Sequence, residues 1–268
     1  MATVTVLGCG GSAGVPHIGG PDGRGDWGAC DPAEPRNRRT RSSIVIKGPD
    51  QQRLLIDASP DLRTQLLACA VPQIDAILFT HAHADHVLGI DEIRILNRIV
   101  NRPLQAFAEP RTIAELHRRF DYAFKEWHGP FFFRPALVTV PIAFGDAIET
   151  CGLTLQTFEQ DHGTIPTIGL RLGNFGYSTD VVTLSDAALD CLAGVDTWMV
   201  DCFQRRAHST HANVEQVIAW RDLIKPRRMI LTHMGNDIDW AWLHARLPAG
   251  IEPGYDGLQF DIDPAEVP

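Results

Sequence analysis

Apolar residues gather in short runs over the first third of the chain, at 3–7, 43–47, 53–56 and 76–80, each broken by Gly, Pro or Asp. Runs of this length, rich in Val, Ile and Leu and bounded by turn residues, predict strands. Helical spacing takes over at 60–70, where Ser59 is placed to cap and Pro60 suits the first helical position. It returns at 90–100 and from 112 to about 126. Further strands are predicted at 137–140, 153–158, 167–172, 175–178, 197–201 and 229–232. A helix is predicted at 214–224, with Asn213 as its cap and Gln216 three residues on. Alternation without a linker makes this an α/β chain. Two halves, each of strands then helix, suggest two sheets sandwiched between helices, although periodicity alone supports a single doubly wound sheet equally well.

Composition narrows the classes. With 268 residues, 44% hydrophobic and 21% charged, the chain can bury a sizeable core, which excludes disorder, collagen and a small disulfide scaffold. A formal charge of -9 argues against long nucleic acid as a partner. Six scattered cysteines without a C-x-x-C pair fit a reducing compartment. No stretch approaches the roughly 20 apolar residues of a membrane span, and residues 1–6 show no export signal, so the cytoplasm is expected and a membrane is not. Residues 24–41, rich in Pro, Asp and Arg, predict an ordered surface loop. Residues 105–135, with Trp127, His128 and Phe131 to Phe133, show little alternation and are expected to form a lid or interface inserted in one domain spanning 1–268. Gly8 to Ala13 satisfy G-x-G-x-x-A, but Pro16 interrupts the helix that a dinucleotide site requires. What remains is a glycine-rich turn, either a tight turn or one whose N–H groups approach a phosphate.

The densest chemistry is His81-Ala82-His83-Ala84-Asp85-His86, directly after an apolar strand. Imidazole nitrogen and carboxylate oxygen suit zinc and related divalent metals, and a strand end followed by a turn can aim alternate side chains at one site. Partners are expected at other strand ends, where His162, Asp180 and His233 stand. Asp57, also ending an apolar strand, is placed to accept a hydrogen bond from a ligand imidazole. Arg38, Arg39, Arg41, Arg205 and Arg206 offer paired donors to an oxyanion, although most are expected to be solvated. His17, His117, His128 and His244 have no partner by spacing.

The H-x-H-x-D-H run, the separate His162, Asp180 within Gly176-Tyr177-Ser178-Thr179-Asp180, and His233 within Leu231-Thr232-His233 resemble the metallo-β-lactamase superfamily over most of the chain. The resemblance implies a four-layer αββα sandwich with a dinuclear site at one edge. It implies His81, His83 and His162 around one metal, Asp85, His86 and His233 around the other, and Asp180 between them, with zinc or manganese as the ions and iron also compatible. The opening Leu7 to Pro16, followed by Trp27 to Asp31 and a basic run, is most similar to the phosphodiesterase branch that includes phosphoribosyl cyclic phosphate phosphodiesterase. That enzyme's early loop carries extra cysteines for a structural zinc, whereas only Cys30 stands here, so no third metal is expected. The segment Asp201-Cys202-Phe203 with His208-Ser209-Thr210-His211 resembles the one that supplies a catalytic histidine in these enzymes and in tRNA 3′-processing endonucleases. His211 matches that position and His208 is the weaker choice. Together these imply a hydrolase that cleaves a small phosphodiester, cyclic ones included, by a metal-bridged hydroxide, with Asp85 and His211 as catalytic residues. A thioesterase or lactonase, or a non-hydrolytic binding protein of the same fold like the member from pyrroloquinoline quinone biosynthesis, is the alternative. A homodimer is an open option.

Overall fold

Three consecutive apolar runs explain the first sheet. Ile44 and Ile46 face one buried cluster while Val45 faces another, Leu54 and Ile56 oppose Leu55, and Ala76 and Leu78 oppose Ile77. Strands buried on both faces read as unbroken apolar runs and need cover on both sides. In the computed structural model, which describes residues 1–126 and 135–265, a second sheet covers one face and helices cover the other.

The strands are β1 (Ala2–Gly8), β2 (Ser43–Lys47), β3 (Arg53–Ile56), β4 (Ala76–Leu78), β5 (Leu104–Ala108), β6 (Leu137–Pro141), β7 (Ala147–Thr150), β8 (Leu153–Asp161), β9 (Pro166–Leu172), β10 (Phe175–Ser178), β11 (Thr197–Asp201), β12 (Arg228–Thr232), β13 (Ile251–Pro253) and β14 (Gln259–Ile262). The helices are α1 (Leu62–Ala68), α2 (Ala84–Val87), α3 (Ile90–Val100), α4 (Pro110–Arg119), α5 (Asp121–Phe124), α6 (Asp186–Leu192), α7 (Val214–Ile224) and α8 (Trp240–His244). One sheet of seven strands runs β14-β1-β2-β3-β4-β5-β6 and the other β13-β12-β11-β10-β9-β8-β7. Each is mixed: β3 to β6 are parallel, as are β10 to β13, and the remaining neighbours are antiparallel. The sandwich is therefore two sheets, and the single doubly wound sheet is excluded. Leu155, Ile168, Tyr177 and Met199 of the second sheet pack in the same cluster as Val4, Ile44 and Ile56 of the first. Among the described residues no helix is long and apolar enough to cross a membrane.

Several boundaries differ from the sequence pattern. β4 ends at Leu78 rather than Thr80, because Thr80 turns its N–H away from the ladder to Asp57 Oδ1 at 2.8 Å. Ser59 accepts from the N–H of Asp61 at 3.1 Å and so folds the turn before α1, which starts at Leu62. The helix expected at 112–126 begins at Pro110, capped by Glu109, and breaks at Phe120 into α4 and α5. The stretch expected to be a lid or interface starts as an interior strand, since β5 pairs with both β4 and β6; Trp127, His128 and the three phenylalanines lie outside the described residues. Asn213 caps α7 as expected by accepting from Gln216 N–H at 3.1 Å, but the Gln216 amide donates to the Val182 carbonyl instead of reaching back. The 24–41 loop is ordered by Asn37, whose amide donates to Asp239 at 2.7 Å while its oxygen accepts from Trp240 N–H at 2.7 Å.

Candidate metal centre and active site

β3, β4, β8, β10, β11 and β12 all end on one edge of the sandwich, and each delivers a polar residue there. Asp57 follows β3, His81 to His86 follow β4, His162 follows β8, Asp180 follows β10, Asp201 ends β11 and His233 follows β12. The crevice outside the carboxyl ends of strands is where α/β sheets place ligands, because side chains there leave the ladder and converge. Asp57, Asp180 and His233 adopt φ of 63°, 53° and 54°. A left-handed backbone at a non-glycine residue costs on the order of 1 kcal/mol or more and survives only where the surroundings fix it.

The seven sequence-predicted ligands meet in two groups, His81, His83, His162 and Asp180, and Asp85, His86, Asp180 and His233. Within each group the offered atoms lie within 4.8 Å of one another. Asp180 belongs to both. Its Oδ1 stands 3.9 Å from His81 Nε2 and 3.6 Å from His162 Nε2, and its Oδ2 stands 3.2 Å from His86 Nε2 and 3.3 Å from His233 Nδ1. One oxygen toward each group is the geometry a bridging carboxylate requires.

The imidazoles are aimed by partners behind them. His86 Nδ1 lies 2.7 Å from Asp57 Oδ2, which confirms Asp57 as the backing acceptor. Asp57 also accepts from Thr80 Oγ1 at 2.8 Å, and that hydroxyl is 3.0 Å from His81 Nδ1. His162 Nδ1 donates to the Thr210 carbonyl at 2.6 Å, and His233 Nδ1 lies 3.1 Å from Ser42 Oγ. With Nδ1 tied, His81, His86 and His162 present Nε2 to the site. His81 Nε2 is buried without a hydrogen-bond partner among the described residues, an arrangement that is costly unless something coordinates it. Imidazole and carboxylate donors in two sets that share one acid fit a pair of divalent ions.

The electrostatics of His81, His162 and His233 agree with that donor set. Burial pushes His81 well below the ordinary imidazole range, lowers His162 and takes His233 to about 4, so these rings are neutral and able to ligate. Burial alone would raise Asp180, but the His233 and His86 rings outweigh it and hold the carboxyl well below its usual range. His86 moves up, since Asp180, Asp85 and Asp57 together overcome its burial.

His211 sits beside both groups without belonging to either. Its ring centroid is 4.7 Å from that of His162 and 4.8 Å from that of His233. Its Nδ1 lies 2.7 Å from Asp201 Oδ2. Burial lowers His211, and the Asp201 hydrogen bond and charge more than reverse this. The sequence pattern assigned Asp201 no role; the available signal was an acid ending an apolar strand ten residues before His211. Phe203 stacks on His211 at 4.7 Å. His208 Nδ1 is engaged by Thr210, at 3.3 Å from its N and 3.2 Å from its Oγ1, and the ring is more exposed.

Other expectations are redirected. Arg39 is buried and donates to the Gly235 carbonyl and Asn37, Arg41 pairs with Asp61 at 2.8 Å, and Arg205 lies over Trp242. Arg39 and Arg41 are thus engaged by hydrogen bonds and an ion pair within the protein, and Arg205 by a stacking contact. Gly10, Gly11 and Gly14 direct their N–H groups to Thr40, Met234 and Gly11 carbonyls, so the glycine-rich turn is a close backbone crossing. A side chain at Gly11 would meet Phe203 at 2.7 Å. The Cys30 thiol faces the Asn236 and Ile238 carbonyls at 3.4 Å. His117 stacks on Phe124 and His244 on Trp240, away from the site.

Comparison with known proteins agrees with this geometry. The family model described as a beta-lactamase superfamily domain matches residues 52–234, which contain both ligand groups and Asp201–His211. The chain belongs to that superfamily. A solved structure described as a new diphosphatase from the PhnP family superposes with a TM-score of 0.89 at 31% identity, covering 100% of both chains, which sets this protein in the PhnP-like branch of metallo-β-lactamase fold hydrolases. A protein of Porphyromonas gingivalis (strain ATCC BAA-308 / W83) named octanoyltransferase is 30% identical over 96% of this chain, which spans only 51% of that relative's length. Ribonuclease Z of Mycobacterium sp. (strain KMS) is 24% identical over 86% of this chain and 93% of its own. Members of this superfamily fold normally bind divalent metals such as zinc.

Proposed function

We propose that this superfamily hydrolase is a dinuclear metal-dependent phosphodiesterase acting on small diesters, cyclic ones included. His81, His83 and His162 would hold one ion, Asp85, His86 and His233 the other, and Asp180 both. Ions bound there supply Lewis acidity toward phosphoryl oxygens and lower the pKa of a nearby water. The observation that carries the reading is the Asp201–His211 pair at 2.7 Å, next to both ligand groups yet outside them. With Nδ1 tied to Asp201, His211 has Nε2 left to donate a proton to the leaving oxygen, and the raised pKa keeps that proton available. Phe203 stacks on the His211 ring and helps to fix its plane. Ester or acyl-group chemistry is the second reading, favoured by the octanoyltransferase relative, although this chain covers about half of it. A net charge of -9 weighs against tRNA-sized substrates.

The test is elemental analysis of protein reconstituted with zinc or manganese, followed by assay on bis(4-nitrophenyl) phosphate, 4-nitrophenyl phosphate, a thioester and a lactone. About two ions per chain and fastest turnover of the diester are expected. A folded protein that takes up no metal would sink the scheme, and faster turnover of the thioester or lactone would replace it with the second reading.

A further inference from the structure

Asp180 is the residue that both ligand groups share, and its left-handed backbone has to be held by its neighbours. β9 holds it through a side chain that belongs to neither group. Thr167 Oγ1 donates to the Asp180 carbonyl at 2.9 Å. Gln160 of β8 donates from Nε2 to Thr167 Oγ1 at 3.1 Å and to the Thr179 carbonyl at 3.0 Å. A hydroxyl has one proton, and with the Gln160 amide on one of its lone pairs that proton is directed to Asp180. Gln160 and Thr167 are both buried, and Gln160 has room only because residue 169 is glycine, where a Cβ would meet its Oε1 at 2.6 Å. β9 is also tied to the other sheet: Ile168 N–H donates to the Thr80 carbonyl at 3.1 Å, one residue before His81.

The peptide between Asp180 and Val181 is therefore gripped from both sides. Its carbonyl takes the Thr167 hydroxyl, and its N–H donates to Asp201 Oδ2 at 3.1 Å, the same oxygen that faces His211 Nδ1. We infer that Thr167, oriented by Gln160, is a positioning residue that fixes this peptide, and through it both the shared carboxylate and the Asp201–His211 pair. The inference rests on the dinuclear reading above and adds to it a residue that touches no ligand side chain.

Thr167→Val keeps the shape and removes the hydroxyl, whereas Thr167→Ser keeps the hydroxyl. Chelator competition on zinc-loaded protein should show both ions weakened about 10- to 100-fold in Thr167→Val, the range for a lost partner behind a ligand, and most of that affinity regained in Thr167→Ser. A merely structural hydroxyl would lower the unfolding midpoint of metal-free Thr167→Val and leave both affinities at the wild-type level, which overturns the inference, as does loss of one ion alone or an equal loss in Thr167→Ser. Should Thr167→Val not fold, Gln160→Met, of similar length, removes the orienting amide, and unchanged affinities there overturn the inference equally. Val181 N–H reads the same clamp without metal: its hydrogen exchange in the metal-free protein, followed by NMR, should quicken by up to about tenfold in Thr167→Val, as for one weakened hydrogen bond. A wild type that binds no metal would remove the dinuclear reading, and exchange at Val181 equal in wild type and Thr167→Val would by itself overturn the inference.

Discussion

In the phosphodiesterase we propose, His211 is the residue to test first, because it lies next to the ligand groups, belongs to neither and is there to act as a proton donor. Replacing it with Ala should leave both ions bound and cost about 10²- to 10⁴-fold in turnover of an alkyl phosphodiester. The loss should be much smaller for a nitrophenyl ester, whose leaving group needs little protonation. Stopped-assay rates on the two substrates check this, and equal losses would point to charge stabilisation on phosphorus. Asp57 acts one step further back. Its carboxylate holds His86 at 2.7 Å and Thr80 at 2.8 Å, so Asp57→Asn, nearly the same shape, should weaken metal binding about 10- to 100-fold. Chelator competition measures it, and unchanged affinity would make Asp57 a purely structural acid. At this scale the sequence was informative wherever donors are close together: His81 to His86 place four ligand side chains within six positions. Asp201 was legible only as an acid ending an apolar strand, since its pairing with His211 is set by where β11 lies against the His211 loop and not by spacing.

Among the elements, α4 reaches the metal loop through one side chain. Arg119 Nη1 donates to the carbonyl of Ala82, between His81 and His83, while its other nitrogens hold Glu115. Arg119→Ala should therefore loosen that loop and lower affinity for the ion at His81, His83 and His162 by up to about tenfold, with little change in unfolding midpoint, because the side chain is one-third exposed. Metal titration beside thermal unfolding distinguishes this from simple destabilisation, and equal metal affinity would refute it. β3, β4, β11 and β12 were legible because both of their faces are buried and their apolar runs are continuous, whereas β8 was legible from its alternation of buried and exposed positions. β14 was missed although Phe260 and Ile262 alternate with exposed Gln259 and Asp261, because four residues are too short a pattern to weigh alone. β5 was missed for a different reason: its only exposed residue, Gln105, sits in a run of small and apolar residues that resembles any buried segment.

Across the whole molecule, Asp256 ties the two ends of the chain together. It accepts from Cys9 N–H at 3.0 Å, across 247 positions, and from Thr40 N–H at 2.7 Å and Oγ1 at 2.6 Å. Burial pushes its carboxyl up to about 6 in spite of these donors. A folded-state value above the ordinary aspartate value means that the native state holds the proton more tightly, so stability is fully present below about pH 4 and declines as pH rises through about 6. The decline should be at most roughly 3 kcal/mol, the equivalent of about two pKa units. Urea unfolding of wild type and Asp256→Asn across that window should show the decline in the wild type and a flatter profile in the variant; parallel profiles would show that other groups set the dependence. The sequence by itself determined most of the strands, though not β5, β7, β13 or β14, and that four ligand donors share one strand end, because periodicity and neighbouring donors are local properties of the chain. Periodicity left open whether there is one sheet or two, and only the family resemblance implied two. Only the tertiary structure decided that there are two sheets of seven strands, that Asp180 turns one oxygen to each ligand group, that Asp201 backs His211, and that Arg39 is buried. All but the Asp201–His211 pair, ten residues apart, depend on contacts between residues far apart in sequence, which form only when burial of both faces of each sheet brings the strand ends to one edge.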